Sequence, residues 1–127
     1  MITGTVNCRH EIVIRLPVRD STAEEREIET ILDTGFTGSL TLPPSLIENM
    51  GLPWRSRSSA FLANGKVEEF NIHVATVIWD GTARPILVHA IENAPVLGMA
   101  MLVGHDLRVR VISGGNVEIE AVSEQAS

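Results

Sequence analysis

The sequence predicts a mostly-β fold in one domain, and three observations carry that expectation. The chain has 127 residues, inside the range of about 100–200 that one domain usually spans. Valine, isoleucine and threonine recur in short alternating runs, the period-two pattern of half-buried strands. Turn-forming residues separate those runs along nearly the whole length, with no internal repeat or linker. Residues 1–122 therefore read as one domain and residues 123–127 as a polar tail expected to fray.

The elements follow in order. Glu11 to Val18 reads as a strand, Asp20 to Glu24 as a polar loop and Ile28 to Leu32 as the returning strand of a hairpin. Pro43 to Met50 reads as a two-turn helix: proline occupies the first turn, where spare N–H groups are not needed, and Gly51 supplies the stop. Phe61 to Val67 reads as a hairpin turning at Asn64-Gly65, a pair suited to a type I′ turn. Lys66 to Trp79 and Ala83 to Ala90 are joined by Asp80-Gly81, another tight-turn dipeptide. Gly98 to Val103 is apolar and is expected to form a second short helix inside the sheet. Leu107 to Ile112 and Val117 to Val122 flank Gly114-Gly115-Asn116 as a last hairpin. The stretch through Cys8 carries no assignable feature.

Composition narrows the function classes. Ten basic against sixteen acidic residues give a net charge of -6, with a single lysine, so no basic stripe exists to neutralise a nucleic-acid backbone. The longest apolar run, Val96 to Val103, is interrupted by Gly98 and is far short of the roughly 20 residues that cross a bilayer, so no membrane association is expected. Met1 to Thr5 lack the start of a signal peptide, which makes a cytoplasmic protein the default expectation. Cys8 has no second cysteine to pair with and is expected to be a small buried hydrophobe. His10, His73, His89 and His105 lack ligand spacing; solvated or capping roles are expected, with no metal and no cofactor. Neither a GxSxG elbow nor a phosphate-binding glycine loop is present. The acidic series Glu24, Glu25, Glu27 and Glu29 reads as the solvated face of a loop and edge strand.

The informative stretch is Ile31-Leu32-Asp33-Thr34-Gly35-Phe36-Thr37-Gly38, in which a carboxylate ends an apolar strand and turn residues follow at once. Such an aspartate is expected to be partly desolvated, where its charge is costly unless shared. Alone, the triplet is equally an aspartate accepting hydrogen bonds from the next backbone N–H groups. Three further features accompany it: Leu40-Thr41-Leu42-Pro43 with the helix, the Asn64-Gly65 hairpin, and Pro95-Val96-Leu97-Gly98.

Together these residues resemble the retroviral-type aspartic proteases, most closely the single-lobe, retropepsin-like enzymes of bacteria, over about Ile12 to Ile119. The resemblance implies a closed acid-protease barrel with one or two short helices and its active site at a homodimer axis. It implies that Asp33 is catalytic and that Thr34 and Gly35 support it, the threonine by hydrogen-bonding across the axis. It makes Leu62, Ala63, Asn64, Gly65 and Lys66 the substrate-covering flap, and Val96, Leu97 and Gly98 the element packed behind the catalytic loop. The chemistry needs two carboxylates sharing one proton, one acting as base on a water and the other as acid toward the carbonyl oxygen. The triplet occurs once, so the implied enzyme is an endopeptidase only as a homodimer, acting on an extended peptide or protein substrate.

Two positions depart from the family: Phe36 stands where pepsin-like enzymes carry a hydroxyl, and Ala100 where many relatives carry an acid. The second reading keeps the barrel and dimer as a non-catalytic peptide-binding or scaffolding module; the intact Asp33-Thr34-Gly35 argues against it. The terminal strand is expected to offer the apolar face of Val117, Ile119 and Ala121 to a dimer neighbour.

Overall fold

Along β2 (Ile12–Arg19) the side chains of Ile14, Leu16 and Val18 are buried while those of Arg15, Pro17 and Arg19 turn outward, so one strand face builds the core. A computed structural model describes residues 1–123 of the chain, and the expected tail from 124 onward lies outside the described residues. The other strands are β1 (Ile2–Val6), β3 (Glu25–Leu32), β4 (Leu40–Leu42), β5 (Trp54–Phe61), β6 (Val67–Trp79), β7 (Thr82–Ala90), β8 (Val96–Leu97), β9 (His105–Val109) and β10 (Asn116–Ala121). One helix, α1 (Pro44–Met50), and one 3₁₀ turn, Met99–Met101, complete the described elements.

The strands form one sheet in the order β5-β6-β7-β4-β8-β3-β2-β1-β10-β9. Pairing of Val18 with Val77 and Arg19 with Thr76 joins β2 to β6 and closes six of the strands into a ring. The fold is thus a mostly-β, single-lobe barrel, as the sequence leads one to expect. Pro17 falls in the stretch of β2 that borders neither β1 nor β6, where a missing N–H leaves no ladder broken on that side. Inside the barrel lie Ile14, Leu16, Val18, Leu40, Leu42, Val77, Val88 and Leu97. Buried Thr30 is satisfied by its hydroxyl donating to the Ile14 carbonyl at 2.7 Å.

Local turn chemistry accounts for the connections. Asp80 and Gly81 both adopt positive φ, 51° and 79°, and join β6 to β7 by a two-residue hairpin. Gly51, at φ 66°, caps α1 in the left-handed conformation, its N–H donating to the Glu48 carbonyl. Along Glu25 to Glu29, β3 has a neighbour on one side only, and these acidic side chains face solvent.

Several expectations are corrected. β1 is a strand that the sequence does not announce, paired with β2 and with β10. Val117 and Ile119 of β10 are fully buried, because the face of β10 that carries them packs into the chain's own hydrophobic core; they offer no apolar face to a neighbour. Cys8 is exposed, since it lies in the turn between β1 and β2 and not in either strand. The apolar Gly98 to Val103 segment makes only a single 3₁₀ turn, burying Met101 and Leu102 and leaving Val103 in solvent. The Asn64-Gly65 turn is not type I′, because only Gly65 has positive φ.

Candidate active site

Asp33 follows directly on β3, whose last two residues pair in parallel with β8, Ile31 with Val96 and Leu32 with Leu97. The Asp33 N–H donates to the Leu97 carbonyl at 2.9 Å, extending that pairing by one residue. The chain then turns sharply: the Gly35 N–H donates to Asp33 Oδ1 at 2.8 Å, and the Phe36 N–H to the Asp33 carbonyl at 3.1 Å. A Cβ on Gly35 would stand 3.1 Å from that same carboxylate oxygen, so glycine leaves the acceptor uncrowded. Asp33, Thr34 and Gly35 are all exposed in the single chain, contrary to the expected desolvation, because nothing among the described residues covers the loop from outside.

Behind the loop the contacts are close. Gly98 N–H donates to the Ser39 carbonyl at 2.9 Å, Met99 N–H to Phe36 O at 2.8 Å and Ala100 N–H to Gly38 O at 3.1 Å. A Cβ on Gly98 would run into the Gly38 carbonyl oxygen, so the backbone approach permits only glycine. Thr41, buried in β4, accepts a hydrogen bond from Val96 N–H at 3.0 Å and ties that strand to β8. Phe36, which has no hydroxyl to offer, instead packs its ring edge-on against His89, the ring centroids 5.4 Å apart. Phe70 of β6 lies on His89 as well, at 5.1 Å. Burial between these rings pushes the His89 imidazole below its usual pKa. His89 is therefore neither a solvated nor a capping residue.

The candidate flap is the β5–β6 hairpin. Its tip is a three-residue loop in which Gly65 N–H donates to Leu62 O at 2.9 Å, Leu62 N–H to Lys66 O at 2.8 Å, and Lys66 N–H to Asn64 Oδ1 at 3.0 Å. This is a type I turn closed by a left-handed glycine, Gly65 at φ 81°. Leu62 to Lys66 are all exposed, and Phe61 is 83% exposed.

Asp33 opens onto a cleft of about 470 Å³ whose walls include His10, Glu11, Ile12, Ile31 and Val96. The structure thus brings Asp33 and Val96 to one cleft and sets Leu97 and Gly98 behind the loop, but the flap tip is not among the cleft's walls. Sequence reasoning missed Thr41, His89 and the Asn7–Glu11 turn. A threonine inside the apolar triplet Leu40-Thr41-Leu42 was the one local signal for the first; the others depend on pairing between distant strands. Among the described residues no group of three or more His, Cys, Asp or Glu side chains is arranged to hold a metal ion. No helix among them is long and apolar enough to cross a membrane.

Comparison with solved structures finds a likeness to the crystal structure of a retropepsin-like aspartic protease from Rickettsia conorii, with a TM-score of 0.58 over 96% of this chain and 91% of that one. Identity is 15%, so the likeness is one of fold. No family model matches the chain, and no curated protein matches it.

Proposed function

We propose that the chain is an aspartic endopeptidase that hydrolyses peptide bonds in an extended polypeptide, acting as a homodimer in which each copy supplies one Asp33. The observation that carries this reading is the placement of Asp33 on a turn braced from behind by Leu97 and Gly98, its carboxylate at the wall of an open cleft. The likeness in fold to a retropepsin-like aspartic protease supports it.

The exposure of the Asp33 loop fits a carboxylate that meets its counterpart in a second copy. Two carboxylates brought together share one proton, because both cannot ionise at close range. The ionised member takes a proton from a water as the water oxygen bonds to the scissile carbonyl carbon; the protonated member gives its proton to the carbonyl oxygen. As the tetrahedral intermediate collapses, one of its hydroxyls returns a proton to the ionised carboxylate, the C–N bond breaks, and the departing nitrogen takes the proton of the other carboxyl, which restores the shared-proton pair. The exposed β5–β6 hairpin, with its apolar Phe61, Leu62 and Val67, suits a cover that pairs with an extended substrate as an added strand.

Asp33→Asn tests the reading, since it keeps the shape of the side chain and removes both base and shared proton. Cleavage of a peptide library is expected to fall by at least about a thousandfold while the circular dichroism spectrum is unchanged. Sedimentation equilibrium of the active protein should show a dimer. Near-normal cleavage by the variant sinks the proposal; peptide binding with no cleavage by the wild type favours the non-catalytic module.

A further inference from the structure

The cleft at Asp33 carries a second carboxylate, and it is held in place. In the turn between β1 and β2, the Asn7 side chain takes hydrogen bonds through Oδ1 from the Arg9 and Glu11 N–H groups, both at 2.9 Å. Its Nδ2 donates to Glu11 Oε1 at 3.0 Å. Backbone bonds from Asn7 N–H to Glu11 O at 2.9 Å and from His10 N–H to Asn7 O at 3.0 Å close the same turn. These contacts hold His10 at φ 61°, a left-handed conformation unfavourable for a residue with a Cβ. Glu11 lines the cleft beside Ile12, its carboxylate held in a partly buried hydrogen bond, with Ile31 and Val96 supplying further apolar surface.

The charge at Glu11 exceeds what the turn needs. Asn7 Nδ2 requires only an acceptor, which a neutral glutamine also provides. Among the described residues no cationic side chain forms an ion pair with Glu11, and no lysine or arginine lines the cleft. An apolar wall ending at an unpaired, fixed carboxylate matches a side chain with an apolar stem and a cationic tip. We infer that this cleft receives a lysine or arginine side chain of an extended peptide substrate, its stem against Ile12, Ile31 and Val96 and its cation beside Glu11. The substrate role rests on the proteolytic reading of Asp33. The net charge of -6 adds a long-range attraction for basic peptides.

Binding to the full-length Asp33→Asn chain decides the inference, because that variant holds the peptide uncut and removes the other carboxylate from the cleft. Labelled octapeptides of apolar background carry lysine or norleucine at each position in turn, a pair that differs chiefly by the charge. At one position the lysine peptide is expected to bind about three- to tenfold more tightly by fluorescence anisotropy. That ratio should fall to about one when Glu11→Gln is added, and a glutamate peptide should be preferred with Glu11→Lys. Equal binding at every position, or a lysine preference that survives Glu11→Gln, overturns the inference. Cleavage of the same peptides by the wild-type chain is scored separately: its absence strikes the proteolytic reading, while the binding ratio alone decides what Glu11 recognises.

Discussion

The Phe36 ring meets the His89 imidazole edge-on, at a centroid distance of 5.4 Å and an interplanar angle of 72°. Phe36 belongs to the loop after Asp33, His89 to β7, and Phe70, whose ring also packs against His89, to the long strand that continues into the candidate flap. One half-buried imidazole therefore links the candidate catalytic loop to the base of the hairpin expected to cover it. An edge-on aromatic contact of this kind adds about 0.5–1.5 kcal/mol beyond the area it buries.

His89 makes stability depend on pH in the mildly acidic range. Burial holds its folded pKa below 6.5, so the unfolded chain binds this proton first as pH falls. Stability is then complete above about 6.5 and declines as pH falls through that value toward the folded pKa. His89→Phe keeps a ring between Phe36 and Phe70 and removes the proton site. Urea midpoints of wild type should fall more steeply between pH 7.5 and 5 than those of the variant; parallel curves would contradict this account.

Asp20 acts in a lower window. The Thr22 hydroxyl, donating at 2.6 Å, is the largest influence holding its carboxyl below the usual 3.8, helped by the Thr22 and Glu24 N–H groups and by Arg26. A depressed carboxylate stabilises the fold above its unfolded pKa, and that contribution is lost as pH falls through the folded value. Asp20→Asn should lower the urea midpoint at pH 7, with the gap to wild type closing below pH about 3.8. A gap that is constant down to pH 2 would assign the effect to packing instead.

Two glycine substitutions separate close packing from backbone conformation. Gly98→Ala places a methyl group on the Gly38 carbonyl oxygen and within 2.8 Å of the Phe36 oxygen, and should cost at least about 2–3 kcal/mol or prevent folding. Gly81→Ala meets no atom within 4 Å and bears only the left-handed backbone penalty, about 1 kcal/mol. Equal losses in chemical denaturation would show that the crowding behind the Asp33 loop is relieved by movement.

At the candidate flap, Gly65→Ala has open space around it but φ 81°. Its strain of about 1 kcal/mol falls on the turn alone. The thermal midpoint should fall by no more than about 4 °C, because the residues of the tip are all exposed, while kcat/KM for peptide cleavage falls severalfold. Unchanged kinetics would remove this hairpin from the substrate path.

The legible parts of the fold are those written in adjacent residues. Asp80-Gly81 names its own turn, and Pro44 with Gly51 brackets α1, because the physics of each is settled within a few bonds. Long-range pairing is not written this way. The alternation of Val117 and Ile119 declares an apolar face, but whether that face meets a second molecule or the chain's own interior depends on β1 and β9 lying alongside. The polar β5 gives little strand signal, since it is paired on one side only and most of its residues are exposed. At the site, Asp33 was legible as a triplet, whereas Glu11 and His89 draw their interest from neighbours distant in sequence: Asp33 in the same cleft, and the Phe36 and Phe70 rings packed against the imidazole.

The pairing of Ile2 with Ile119 sets a timetable for biosynthesis. β1 is made before β10 and has only two residue pairs with β2 to hold it, so its principal partner is missing until β10 has been made. Val6, buried in the finished core with its N–H donating to the Gly115 carbonyl, lacks that partner during the interval. The sheet is therefore complete only once β10 has been made, and a nascent chain stalled before β10 presents an open sheet edge to chaperones and to other nascent chains.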